Sequence, residues 1–136
     1  MAYLDWKEEL ETGINVIDGQ HKRIVSYINQ LHDISRGGDD SEVTEIIIAL
    51  VDYTLTHFIF EETLFDDAGY REATAHIREH DAFRNTIFSY KVRASKGEDV
   101  TQSLLQLLKT WLFVHIQYED SLYVDAISRY LEQHER

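Results

Sequence analysis

Residues 57–80 read HFIFEETLFDDAGYREATAHIREH. The stretch opens on His57 and Glu61, spaced i, i+4, and closes on His76 and His80 at the same spacing. On an α-helix that spacing puts both members of a pair on one face. Gly69 lies between the pairs and is a natural helix stop. The stretch therefore reads as the end of one helix, a turn, and the start of the next. Four side chains able to bind a metal gather near the bend of this hairpin.

The remaining helices follow outward from it. The one before the bend runs back to about Ser41, ending near Phe65. Asp39 and Glu42 ahead of it resemble a capping box, and Val43, Ile47, Leu50, Thr54, His57, Glu61 and Leu64 form its stripe. The one after the bend runs from about Arg71 to Ser95, between Gly69 and Gly97, with His76, His80, Phe83, Ile87, Tyr90 and Ala94 on one face. Upstream, a first helix spans about Asp18 to Arg36. Asp18 is its expected N-cap, Gly37-Gly38 its stop, and Ile24, Ile28 and Leu31 its apolar face. Downstream, Asp99 and Gln102 repeat the capping pattern ahead of a fourth helix with the stripe Leu104, Leu108, Trp111, His115 and Leu122. That helix either continues to about Leu131 or breaks after His115. The acidic pairs Asp39-Asp40 and Asp66-Asp67 read as loops and caps.

Residues 1–17 have no helical period and read as an arm, with Trp6, Leu10, Ile14 and Ile17 as its apolar residues. Trp6 is expected to pack it over the helices. Short connections make antiparallel neighbours. The expected fold is all-α: an up-down-up-down antiparallel four-helix bundle with an N-terminal arm. One domain covers 1–136, with the arm at 1–17 and the bundle at 18–131.

Composition narrows the chemistry. The 136 residues contain no proline, which favours long uninterrupted helices, and no cysteine. Disulfides, thiolate metal sites, iron–sulfur clusters and cysteine nucleophiles are excluded, so a metal would need His, Asp and Glu. A formal charge of -12 argues against nucleic acid and anionic membranes as partners. The opening MAYLDWKEEL lacks a secretory pattern, and no apolar stretch looks long enough to span a bilayer. The expected location is the cytoplasm.

The chain has seven histidines. His21 falls near the start of the first helix, His57 and Glu61 near the end of the second, His76 and His80 near the start of the third, and His115 in the later part of the fourth. In an up-down-up-down bundle these positions share one end. Five imidazoles and a carboxylate therefore converge at one level, which core packing does not require. Burying so many polar rings costs free energy unless each finds a partner. Imidazole with carboxylate suits iron, zinc, copper or manganese, and the set is too large for one tetrahedral zinc, so it suggests two metals. His32 lies about three turns from His21, roughly 16 Å, and reads as a core or helix-end residue. His134 reads as solvated, and Tyr118, like Trp111, as a core residue of any such bundle.

In this order a lone His21, His57xxxGlu61, His76xxxHis80 and His115xxxxAsp120 resemble the signature of the hemerythrin family, as do the segments TGINVIDGQH and WLFVHIQYED. The similarity runs over essentially the whole chain. It selects Asp120 although i, i+5 is off one face of an ideal helix and Glu119 is the simpler choice by spacing. A local π-turn would bring Asp120 into line.

The resemblance implies two non-haem irons (Fe2+/Fe3+) with a bridging oxo or hydroxo. Glu61 and Asp120 would also bridge, His76, His80 and His115 would complete one iron, and His21 and His57 would bind the other. Of about 12 octahedral positions, bridges and imidazoles fill about 11. The open one, beside His21 and His57, would take dioxygen end-on. The family chemistry holds it as hydroperoxide, with the proton drawn from the bridging hydroxide so that the buried site keeps its charge. Leu112, Trp111 and Phe58 would wall the pocket, with Leu112 nearest the ligand.

The implied function is reversible dioxygen binding by a carrier or store rather than an enzyme, with weak peroxidase or oxidase activity at most a side reaction. Two alternatives stand beside it. One is a sensing module for oxygen, redox state or iron, with a partner protein in a signalling or delivery system. The other is a di-iron oxidase or peroxidase, a class that uses Glu-x-x-His pairs; the chain has no such motif.

Overall fold

The computed structural model describes residues 3–134, except for the side chains at 113, 117–119 and 121. Its helices are α1 (Asn15–Ser35), α2 (Asp40–Ala68), α3 (Ala73–Ser95), α4 (Thr101–Trp111) and α5 (Val124–His134). Between α4 and α5 the chain stays helical but changes pitch, with a π-helix at Leu112–Glu119 and a 3-10 turn at Asp120–Tyr123. The fourth rod therefore neither breaks nor continues as a plain α-helix. It runs helically from Thr101 to His134. The described residues form a helical bundle, as expected, with α1 against α2 and α4, and α2 against α3 and α5.

Several boundaries move for local reasons. α1 begins at Asn15, so Asp18 is not its cap. The Asp18 carboxylate lies buried in the first turn and accepts from Thr12 N (2.8 Å), Thr12 Oγ1 (2.8 Å) and Gly13 N (3.1 Å), which ties the arm to the bundle. Asp39 caps α2 as expected, accepting from Glu42 N at 2.9 Å. That helix runs through Asp66 and Asp67 to Ala68. Gly69 then takes φ +64°, a left-handed cap that glycine adopts without a Cβ clash. α3 starts at Ala73, two residues later than expected. At α4 the capping box does not form. Asp99 accepts from Thr101 N at 3.2 Å and Val100 is the N-cap.

The arm is held by more than Trp6. Leu4 and Leu10 are buried and Trp6 only partly so, with the Lys22 ammonium 5.5 Å from its ring centre. His32 stacks on Tyr3 in the last turn of α1, and His134 is exposed, both as expected.

One expectation needs correcting outright. By length and apolar content alone, α2 would suffice to cross a bilayer. Here Ile47, Leu50, Val51, Phe58 and Phe65 from that helix are buried in the bundle. It belongs to both apolar clusters, one built around Ile24, Ile28, Leu50 and Leu104, the other around Ile17, Phe65, Tyr123 and Ile127.

The π segment explains a second correction. At α spacing the apolar stripe of the fourth helix reaches Leu122, yet Leu122 is 67% exposed and Tyr123 is fully buried. A π-turn adds one residue to the local repeat, so the inward position moves from 122 to 123.

Candidate metal centre

All seven candidate ligands are buried, at 4% exposure or less. Each pair on a regular helix keeps its i, i+4 register. The π-helix supplies the remaining one: Asp120 N donates to the His115 carbonyl, a five-residue reach, and this brings the Asp120 side chain back beside His115. Their atoms stand 3.1 Å apart. The expected distortion is thus present. The Glu119 and Tyr118 side chains lie outside the described residues.

The seven divide into two groups joined by carboxylates. His80 Nε2 is 3.1 Å from Glu61 Oε1, while His57 Nε2 and His21 Nε2 are 3.4 and 3.7 Å from Glu61 Oε2. Asp120 divides the same way. His76 Nε2 (3.0 Å) and His115 Nε2 (3.1 Å) face Oδ1, and His21 Nε2 (3.3 Å) faces Oδ2. Within the groups, His21 and His57 meet at 2.9 Å and His80 and His115 at 3.2 Å. Ligand atoms about 2.1 Å from one metal, at right angles, stand about 3.0 Å apart. Glu61 Oε1, His76 Nε2 and both Asp120 oxygens, although buried, have no hydrogen-bond partner among the described residues. Atoms left this way in a core are costly, and a cation would satisfy them. The donor set of five imidazoles and two carboxylates fits transition-metal ions such as iron.

Outer contacts aim the rings inward. His57 Nδ1 donates to Gln20 Oε1 at 2.5 Å, and His80 Nδ1 to Glu62 Oε2 at 2.9 Å. These acceptors keep a proton on Nδ1, so Nε2 is the atom turned to the centre and the one a metal would take. Arg84 holds Glu62 at 2.6 Å and also pairs with Asp81. Burial, then the Asp120 charge, push the Glu61 carboxyl upward, but His57 and His80 outweigh both and hold it below the usual range. Burial likewise raises Asp120, and His115, His21 and His76 hold it well below. Both carboxylates therefore stay ionised at neutral pH.

Gln20, Glu62, Arg84 and Tyr123 were not singled out from the sequence. Tyr123 OH donates to Glu61 Oε2 at 2.6 Å. Burial, followed by the charges of Glu61 and Asp120, drives its phenol well above the ordinary value, so it remains a donor. Spacing gave no signal for it: Tyr123 shares a side with Asp120 because a 3-10 turn, which eclipses i and i+3, follows the π-helix. Removing this hydroxyl in Tyr123→Phe should lower the stability of the metal-free protein by about 1–3 kcal/mol, read by urea denaturation.

The proposed pocket residues are also placed. Phe58 and Leu112 are fully buried and Trp111 is 7% exposed. Phe58 stacks on His80 at 4.1 Å and Trp111 on His115 at 5.1 Å, so these two rings cover the three-histidine half.

Fold and site together define a class: helical bundles with a buried histidine–carboxylate centre able to hold metal. The family described as hemerythrin HHE cation binding domain matches residues 12–127. A bacteriohemerythrin of Pseudomonas aeruginosa is 52% identical over 127 residues, covering 93% of this chain and 83% of that one. One from Methylococcus capsulatus is 35% identical, covering 94% and 99%. A crystal structure of wild-type hemerythrin superposes with a TM-score of 0.88 at 33% identity, covering 93% and 99%. The chain belongs to the hemerythrin family.

Proposed function

We propose that the protein binds dioxygen reversibly, as a carrier or store, at two non-haem irons held by His21, His57, Glu61, His76, His80, His115 and Asp120. One observation carries this reading: Glu61 and Asp120 each turn one oxygen to the His21/His57 side and the other to the His76/His80/His115 side. A carboxylate divided in this way bridges two cations and is wasted on one. These residues would hold an iron pair, with an oxo or hydroxo group between the irons, and that pair would supply reversible two-electron exchange with dioxygen. The His21/His57 side offers one imidazole fewer, so an iron held there would have the position left for the gas. Leu112, fully buried, would keep that pocket apolar and short of water, while Phe58 and Trp111 shield the three-histidine side from solvent. The His-rich donor set favours binding over oxygen activation and so a protein that is not an enzyme.

Iron analysis with oxygen titration tests the proposal. Two irons per chain and one dioxygen per iron pair, released under vacuum, are expected. One iron, or irreversible oxygen consumption, would count against it. Asp120→Ala should lose iron while Glu119→Ala keeps it; the reverse pattern would remove Asp120 from the ligand set.

A further inference from the structure

A buried iron pair that drifts to its ferric state must be reduced again, yet the candidate ligands are at most 4% exposed, and His115 meets solvent at the floor of a surface groove. The electron has to arrive through side chains. His115 lies stacked on Trp111, with ring centres 5.1 Å apart and planes 15° from parallel. Trp111 stacks in turn on Phe83, at 4.9 Å and 12°. Phe83 is half-buried and, with Trp111, Leu107 and Val114, lines an apolar surface groove between α3 and the fourth rod, with Glu79 also in its lining and a volume of about 350 Å³. His115 also lines this groove. The other parallel stacks on candidate ligands lead nowhere: Phe58 on His80 and Phe65 on His80 are both buried in the core. Other ring pairs at the site, such as Phe58 with Trp111 at 69° and His21 with His57 at 72°, meet edge-on. Offset-parallel rings give the closest overlap of π-systems.

We propose that His115, Trp111 and Phe83 form the path by which an electron from a reduced-flavin type donor, meeting the surface at this groove, reaches the candidate iron pair. The inference rests on the di-iron reading above. Each transfer would take one electron from the flavin and convert one Fe(III) to Fe(II); of the protons the flavin gives up over the two transfers, one would return an oxo bridge to hydroxo and the rest would pass to water. Two transfers restore the oxygen-binding state, and no bond in the protein is made or broken. The groove volume is that of a small-molecule site, and its apolar lining suits the dimethylbenzene edge of a flavin ring, with the charged pyrimidine end left toward solvent. Val114, 53% exposed at its edge, offers further apolar surface.

The test uses the full chain, iron-loaded and oxidised, mixed anaerobically with reduced lumiflavin in a stopped-flow instrument. Iron content is measured first. A wild-type chain without iron defeats the di-iron reading and this inference with it. With iron present, Phe83→Leu and Trp111→Leu should be reduced severalfold more slowly, Trp111→Phe should recover much of the rate, and Phe88→Leu, exposed on α3 outside the stack, should match wild type. Iron-loaded Phe83→Leu and Trp111→Leu reduced at the wild-type rate would overturn the path while leaving the di-iron reading intact. A second readout needs no metal. The chain has two tryptophans, so a Trp6→Phe background isolates Trp111. Oxidised lumiflavin should quench its fluorescence, and Phe83→Leu should weaken the quenching; no quenching would overturn the groove as the point of contact.

Discussion

Glu61→Gln should cost the protein both metal ions rather than one. Glu61 Oε1 faces His80, and Oε2 faces His57 and His21, so one side chain serves both groups. An amide keeps the shape but loses the charge, and its nitrogen cannot act as a ligand. Changing a residue behind a ligand typically costs 10–100-fold in metal affinity, and losing a shared ligand should cost more. Iron per chain after desalting should fall from two to well below one. If Glu61→Gln retained a full iron in the three-histidine group, the carboxylate would not be a bridge. His57→Ala is the useful contrast, because its loss leaves the His76/His80/His115 group whole and should spare the iron there.

Leu112→Ala should both loosen the fold and shorten the life of the oxygenated state. Leu112 is fully buried at the first position of the π-helix. Truncating a buried leucine costs about 2–5 kcal/mol through lost packing and the cavity left behind. The same cavity lies in the proposed pocket wall, where space and water would let bound oxygen leave as peroxide. The rate of conversion to the oxidised form, followed in air, should rise clearly, and denaturation should confirm the stability loss. An unchanged oxidation rate in a folded variant would remove Leu112 from the pocket wall.

The helices and most of the site were legible because both depend on local spacing. The i, i+4 pairs at 57/61 and 76/80, and Gly69 between them, place four candidate ligands at the bend of a hairpin, and the structure brings them together there. Asp120 was not legible from spacing. It was selected by family resemblance, and the π-helix that serves it departs from the repeat on which spacing arguments rest. The same departure misplaced Leu122 and hid Tyr123. Gln20 and Glu62 flank ligands in sequence, but which neighbour reaches a ring nitrogen depends on rotamers and packing. Asp18 has the right chemistry for a cap. It instead holds the arm, because Thr12 and Gly13 offer it three donors at once.

The most direct test of the central claim is a visible absorption spectrum of the reduced, iron-loaded protein, recorded without oxygen, then with it, then after its removal. A charge-transfer band that appears with oxygen and disappears when oxygen is withdrawn, over repeated cycles, is the predicted result. An irreversible oxidised spectrum after the first exposure, or no iron to give a spectrum at all, would contradict it.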